Sequence, residues 1–375
     1  MSRKLLSYTA IGLILGSTAI ADVPKVAVDI APVHSLVSRV MEGVGSPKLI
    51  IPAGASPHEY SLRPSEAKSL QDADMVIWMG EDLAPWMENS IETLSKNAEV
   101  ITLLEESSTK LLDFREGALF EEHDHGENDD HDDHDDHDEH DHDKDHDDHD
   151  DHDDHDHDKD HDDHDDHDDH DHDKDHDDHD DHDDHDHDKD HDDHDDHEDH
   201  DGHAHGEHDP HAWLSTENAQ TWLNLVAGKL SAADPENAGV YFANAAAARE
   251  EINDLVKEVN SILEPVRGRN FVVFHDAYQY FETSFDFPAA GAISLSDATD
   301  PSAARIAEIQ DRVKDEGINC VLSEPQFNAN LVETVTSGTD AKTGVIDPLG
   351  LGLEPGPKLY GNLIRNMGKA LAGCL

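Results

Sequence analysis

Residues 234–268 read DPENAGVYFANAAAAREEINDLVKEVNSILEPVRG, and this stretch indicates how the chain is built. Asp234 followed by Pro235 is a favoured helix start, because aspartate caps free N–H groups and proline suits the first helical position. Apolar side chains then recur at spacings of three and four residues on one stripe: Ile252, Leu255, Val256, Val259, Ile262 and Leu263. The pattern predicts a helix to about Glu264, roughly 45 Å long and able to span two small lobes.

The residues on both sides of this helix alternate between strand and helix patterns. Apolar, β-branched runs bounded by turn residues recur at 25–30, 48–51, 74–79 and 99–103, and again at 270–274, 289–294, 318–323 and 343–346. Helical stretches such as 64–71 and 301–316 separate them. The sequence therefore predicts an α/β fold: two βα lobes, each a four-stranded sheet flanked by helices, joined by one long rigid helix.

A histidine- and acid-rich segment interrupts the first half of the chain at residues 121–209. It holds 29 of the 33 histidines, 51 of the 89 acidic residues and four lysines, and HDDHDDHDDHDHDKD repeats at 146–160, 161–175 and 176–190. These repeats offer no apolar side chain to a core, so we expect a long disordered loop inserted in the fold. A purely acidic run would be a solvated spacer, but imidazole beside carboxylate favours binding of divalent metal ions.

The charge of the chain argues against two kinds of partner. The formal net charge is −63, of which the segment contributes −47 (51 acids against four lysines) and the rest of the chain −16. We expect neither nucleic acid nor an anionic membrane surface to bind so acidic a protein, and cations to be its natural partners.

Residues 1–21 follow the pattern of a cleaved secretory signal, with Arg3 and Lys4 before an apolar run and small residues ahead of Asp22. The apolar run is too short for a comfortable membrane span, so we expect an exported protein without direct membrane insertion. An oxidising compartment would let Cys320 and Cys374 pair, although two free thiols that bind metal remain the alternative.

The predicted domains follow from these features. They are a signal peptide (1–21), an N-terminal βα lobe (22–120), the metal-binding loop (121–209), the end of the N-terminal lobe (210–233), the linking helix (234–265) and a C-terminal βα lobe (266–375).

Four histidines lie outside the segment, and three of them stand where ligands are expected. His58 follows a strand and a turn, His275 ends a strand, and His211 lies where the segment rejoins the fold. Ligands of open α/β sheets bind beyond the carboxyl ends of strands, where Asp347 also lies. Three imidazoles and one carboxylate form a four-coordinate set suited to Zn²⁺. His34, near a helix start, is interpreted as structural.

Several stretches together resemble a known family. They are PHEYSLRPSEAKSLQDADMVIWMGEDL (57–83), DPHAWLS (209–215), FVVFHDAYQYFE (271–282), CVLSEPQF (320–327) and DPLG (347–350). The chain resembles the periplasmic zinc-binding proteins of high-affinity zinc ABC importers, within the metal-specific solute-binding proteins, over almost its whole length outside the repeat. Its segment is longer and more regular than is usual for them.

The resemblance implies a metal site in the cleft between the lobes. It implies His58, His211 and His275 as ligands, a fourth ligand from Asp347 or Glu59, with water as a possible bridge, and a disulfide between Cys320 and Cys374. It also implies a periplasmic location and transient docking onto the membrane subunit of an ABC permease. We expect a monomer, which presents both lobes to the permease.

The function predicted is capture of Zn²⁺ in the cleft and its delivery to the permease. The segment would collect zinc, and His203, His205 and His208, which lie nearest the cleft, are the loop ligands of first interest. The alternatives are a manganese-binding homologue, which His211 disfavours because manganese prefers carboxylates, and a zinc storage or buffer protein. A zinc hydrolase is less favoured, because the sequence holds neither an HExxH helix nor a nucleophile elbow, and no catalytic residue is predicted.

Overall fold

The computed structural model describes residues 23–115, 120, 208–294, 301–327 and 329–375. The predicted signal segment and residues 121–207, with the predicted loop ligands His203 and His205, lie outside the described residues.

The N-terminal lobe is a parallel sheet of four strands in the order β2-β1-β3-β4. Its strands are β1 (Val26–Val28), β2 (Lys48–Leu49), β3 (Met75–Trp78) and β4 (Glu99–Thr102), and its helices are α1 (Ala31–Val40), α2 (Pro64–Gln71) and α3 (Pro85–Leu94). The two central strands, β1 and β3, are buried along their whole length. Such continuous apolar runs are what a parallel sheet covered on both faces requires.

The C-terminal lobe repeats this arrangement with the strand order β6-β5-β7-β8, again all parallel. Its strands are β5 (Phe271–His275), β6 (Gly291–Ser294), β7 (Cys320–Ser323) and β8 (Lys342–Val345), and its helices are α6 (Gln279–Phe285), α7 (Ala303–Asp315), α8 (Ala329–Thr336) and α9 (Leu359–Cys374). All eight predicted strands are present, so the predicted α/β fold of two lobes is confirmed.

Two helices lie between the lobes, α4 (Thr216–Ala233) and α5 (Ala238–Leu263). The 26 residues of α5 span about 39 Å. This helix packs along α4 and also contacts α1 of one lobe and α9 of the other. It is therefore the predicted rigid connection between the lobes, strengthened by a second helix that the sequence analysis did not identify.

The start of the linking helix differs from the prediction. Residues Pro235–Asn237 form a short 3-10 turn, and α5 begins after it, with Asn237 as its N-cap residue. The Asp234 carboxylate accepts hydrogen bonds from the Asn237 amide (2.7 Å) and the Tyr241 hydroxyl (2.8 Å) instead of from helix N–H groups. The aspartate–proline pair thus makes the turn between α4 and α5 rather than the first turn of α5.

The two lobes share most of their core. One cluster of buried apolar residues includes β1 and β3 of the first lobe, α5, and Phe271 and Leu371 of the second. A smaller cluster, with Val272 and Ile309 among its members, lies within the C-terminal lobe. Cys320 of β7 and Cys374 of α9 form a disulfide with a Cα–Cα distance of 5.7 Å, which confirms the predicted pairing.

No helix in the described ranges combines the length and the apolar character needed to cross a membrane.

Candidate metal site

Three histidines from distant parts of the chain meet between the lobes. His58 lies in the loop after β2, His211 immediately precedes the short 3-10 turn Ala212–Leu214, and His275 is the last residue of β5. The ring centroids of His58 and His211 are 5.6 Å apart, and those of His211 and His275 are 5.3 Å apart. His211 and His275 are buried, whereas His58 is half-buried. The His58 ring is therefore the one nearest to solvent.

The distance between two of these rings suits a zinc ion. The Nε2 atoms of His211 and His275 are 3.4 Å apart. Zinc–nitrogen bonds of about 2.0–2.1 Å at tetrahedral angles place two ligand nitrogens roughly 3.4 Å apart. Within the described residues, however, no three His, Cys, Asp or Glu side chains form a complete metal site. Coordination of one ion by all three imidazoles therefore requires the rings to lie closer together than they do here.

The three rings line a small cavity with a volume of about 20 Å³. This is room for a single water-sized ligand or ion. Aromatic side chains form part of its wall: the Trp213 ring is 5.2 Å from His211, and the Phe327 ring is 5.3 Å from His275. A site of this size excludes organic solutes and suits a bare ion.

A buried carboxylate lies behind each of the two buried histidines. The Asp209 Oδ1 atom is 2.7 Å from Nδ1 of His211, and the Glu324 Oε1 atom is 2.6 Å from Nδ1 of His275. Asp209 is 1% exposed and Glu324 is 3% exposed, so neither contact competes with water. Both histidines therefore direct Nε2, and not Nδ1, toward the cavity.

The two predicted candidates for a fourth ligand are not among the residues that line the cavity. Asp347 does not line the cavity, and its Oδ1 atom accepts hydrogen bonds from the N–H groups of Leu349 (3.0 Å) and Gly350 (3.1 Å) and from the Gln326 amide (3.1 Å). Glu59 is exposed and does not line the cavity either. The structure instead places Glu324 in the cavity wall.

Sequence reasoning passed over Glu324, although it lies in the quoted stretch CVLSEPQF and directly after β7. Its place at the carboxyl end of a central strand is the signal that would have found it. Asp209 is the last residue of the histidine- and acid-rich segment in sequence, but its side chain contacts His211. His34 lies outside the cavity, with Nε2 3.2 Å from the Pro47 carbonyl oxygen.

The last residues of the segment are bonded to the chain that precedes it. The Asp209 N–H donates to the Leu112 carbonyl oxygen (2.8 Å), and the Tyr280 hydroxyl accepts from the Leu112 N–H (2.9 Å) and donates to the Asp209 carbonyl oxygen (3.0 Å). His208, the one predicted loop ligand within the described residues, has Nδ1 2.9 Å from Oδ1 of Asp113. These contacts place Leu112 and Asp113 beside His208 and Asp209, which directly precede the turn that carries His211.

Buried acidic side chains also lie near His275. Asp276, next to His275, and Glu282 both accept hydrogen bonds from the Arg115 guanidinium. The Cζ atom of Arg115 lies 3.4 Å from the Phe120 ring centroid. Burial raises the pKa of both carboxyls, and it raises the pKa of Asp209 to about 7. Two buried carboxyl groups, those of Asp276 and Glu282, thus share the Arg115 guanidinium, while Asp209 and Glu324 contact the histidines.

Comparison with known proteins adds the family to this geometry. The family model described as ZnuA, zinc-uptake complex component A, periplasmic, matches residues 26–374. The chain belongs to this family. The ZnuA high-affinity zinc uptake system protein of Brucella abortus is 42% identical over 360 residues, which are 96% of this chain and 94% of that protein. ZnuA of Paracoccus denitrificans is 43% identical over 365 residues, with 96% and 95% covered.

Solved structures share the fold at much lower identity. A crystal structure of ZnuA matches with a TM-score of 0.62 and 16% identity, covering 94% of this chain and 99% of that one. The solute-binding protein FpvC of Pseudomonas aeruginosa, solved in complex with Mn²⁺, matches with a TM-score of 0.63 and 17% identity, covering 94% and 98%. At 16–17% identity these matches show that the fold is shared.

Proposed function

We propose that this protein is the periplasmic solute-binding component of an ABC importer, which captures Zn²⁺ in the inter-lobe cleft and delivers it to the membrane permease. The observation that carries the proposal is the meeting of His58, His211 and His275 at one ion-sized cavity. The names of the ZnuA relatives, zinc uptake system proteins at 42–43% identity, support zinc as the cargo.

The ligand set also supports zinc over manganese. Three imidazole nitrogens are softer donors than the carboxylate oxygens that manganese prefers. Asp347 or Glu59, directly or through a water molecule, would complete the coordination. The half-buried His58 is the ligand whose movement would admit or release the ion.

The histidine- and acid-rich segment would collect zinc for the cleft. Its last residue, Asp209, contacts His211, so ions held near that end would be offered to the cleft at a raised local concentration. His208, with Asp113 as its neighbour, would form the inner end of this supply, followed by His205 and His203. The protein would act as a monomer, dock transiently onto the permease and catalyse no reaction.

Zinc titration against a strong competing chelator tests the proposal, with Mn²⁺ titrated in parallel. We expect one tight zinc site per chain that His275→Ala removes, with much weaker binding of manganese. His34→Ala is the matched control, because it deletes a buried imidazole that does not line the cavity, and tight binding should remain.

Other results would favour the alternatives. Retention of tight binding in His275→Ala would contradict the cleft site and favour a storage protein in which the segment is the binder. Tighter binding of manganese than of zinc would identify a manganese carrier. Turnover of ester or peptide substrates by the zinc form would indicate a hydrolase with zinc-bound water.

A further inference from the structure

Two of the three cleft histidines share a feature that the ligand set alone does not explain. Each has its Nδ1 atom against a carboxylate oxygen, at 2.7 Å for the His211–Asp209 pair and 2.6 Å for the His275–Glu324 pair. All four side chains are 5% exposed or less. The two carboxylates come from unrelated positions, one two residues before its histidine and the other 49 residues after it.

A neutral imidazole carries one N–H, and a neighbouring hydrogen-bond acceptor decides which nitrogen holds it. A carboxyl oxygen that accepts a hydrogen bond from Nδ1 keeps the imidazole proton on that nitrogen. The Nε2 lone pair is then free of a proton and points into the cavity. This is the state in which imidazole binds a metal ion.

We infer that Asp209 and Glu324 are positioning residues, which hold His211 and His275 in the Nδ1–H tautomer and fix both Nε2 atoms at the spacing that a zinc ion requires. The inference rests on the proposed function and deepens it. It assigns Glu324 to the orientation of a ligand and not to the coordination of the ion itself.

Asp209 is itself held in place from three sides. Its backbone N–H and carbonyl oxygen are bonded to Leu112 and Tyr280, and its Oδ1 atom also accepts the His211 N–H at 2.9 Å. These bonds fix the Asp209 carboxylate beside the His211 ring. A residue that composition would assign to ion collection instead orients a ligand of the cleft.

The test compares alanine and amide variants in the full-length protein: Asp209→Ala, Asp209→Asn, Glu324→Ala and Glu324→Gln. Zinc affinity is measured against a chelator strong enough to keep the weak sites of the segment empty. Loss of an outer partner of a histidine ligand typically weakens metal binding by about 10–100-fold. We expect this loss for the alanine variants and most of the affinity in the amide variants, because an amide oxygen still accepts the Nδ1–H bond.

Two further measurements report on position and not on stability. The ¹⁵N NMR signals of the His211 and His275 rings in the metal-free protein should show the Nδ1–H tautomer in the wild type and mixed tautomers in the alanine variants. The absorption spectrum of the Co²⁺ form should show the same ligand set in Glu324→Gln as in the wild type.

Asp234→Asn is the matched control. Its carboxylate is fully buried but, among the described residues, is hydrogen-bonded to Asn237 and Tyr241 and to no histidine. This variant should lose thermal stability and keep the zinc affinity of the wild type.

The inference would be overturned by wild-type affinity in both alanine variants, by unchanged tautomers, or by a changed Co²⁺ ligand set in Glu324→Gln, which would make Glu324 a ligand. Failure of the proposed function looks different, because the wild type itself would then lack a tight site that depends on His275.

Discussion

At the residue scale, the structure separates the acidic side chains into two populations. Most belong to the segment or the surface, whereas a few are fully buried, and Asp29 is the clearest of these outside the cleft. Its two carboxylate oxygens accept the N–H groups of Ile30 and Met79, each at 2.7 Å. Asp29 thus joins the ends of β1 and β3 at the carboxyl edge of the N-terminal sheet.

The buried position of Asp29 predicts a pH dependence of stability. Burial raises the pKa of Asp29 from 3.8 to about 7, against the effect of the two N–H groups. The folded protein therefore keeps a proton that the unfolded chain releases near pH 4, so this group's stabilising contribution falls as pH rises toward 7. Between pH 5 and 7 the loss is about 2 kcal/mol.

Urea unfolding of the metal-free protein measures this effect. The free energy of unfolding should fall more steeply from pH 5 to 7 in the wild type than in Asp29→Asn, which has no carboxyl to titrate. Equal slopes in the two proteins would mean that Asp29 is ionised across the whole range.

At the same scale, sequence reasoning identified three histidines that the structure brings to one cavity. Each stood beside a strand end or a motif boundary, which is a local signal. The partners Asp209 and Glu324 had no such signal, because contact with a histidine ring depends on how separate segments pack. For the same reason the sequence could not show that the Asp347 Oδ1 atom is hydrogen-bonded within its own turn and to Gln326.

At the scale of elements, the connection between the lobes depends on a close approach of two helices. A Cβ atom placed on Gly368 of α9 would lie 2.9 Å from Cγ1 of Val259 on α5. Real Cβ atoms do not approach so closely, so glycine lets α9 of the C-terminal lobe pack directly on the linking helix. Arg365 of α9 adds an exposed ion pair with Glu258 of α5 at 2.7 Å.

Gly368→Ala is therefore expected to destabilise the protein by about 1–3 kcal/mol relative to Gly373→Ala, through overpacking. Gly373 is the matched control, because it lies on the same helix and a Cβ atom there meets nothing within 4 Å. Both variants gain the same helix propensity from alanine. Chemical unfolding of the two variants measures the difference.

Val259→Ala combined with Gly368→Ala should recover part of that loss, because it removes the atom that the new methyl group meets. Equal stability of Gly368→Ala and Gly373→Ala, or no recovery in the double variant, would contradict the prediction. It would show that α9 and α5 can move apart without loss of folding free energy.

At the scale of the whole molecule, the histidine- and acid-rich segment ends two residues before His211 of the candidate site. Its last residue, Asp209, is hydrogen-bonded to Leu112 and Tyr280 and contacts His211. A deletion that stops at residue 206 keeps all of these contacts.

Deletion of residues 124–206 should reduce the zinc bound at saturation to one ion per chain. It should leave the affinity of the tight site within about threefold of the wild type, while zinc uptake by cells at limiting zinc falls as the local supply is lost. Chelator titration and an uptake assay measure the two effects. A segment of equal length with serine in place of histidine is the control, since it keeps the tether and removes the imidazoles.

Uptake that is unchanged by the deletion would contradict a role for the segment in supply. Loss of the tight site itself would contradict the separation of segment and cleft.

The two lobes, their eight strands, the linking helix and the family could be predicted from the sequence. Apolar periodicity, turn residues and short motifs act over neighbouring residues, so they can be recognised without a structure. Three features could not be predicted in this way: α5 starts after a 3-10 turn, Asp209 and Glu324 contact the histidines, and Asp347 and Glu59 do not line the cavity. Side chains far apart in sequence meet through the packing of the lobes, and no local pattern specifies the distance between two such atoms.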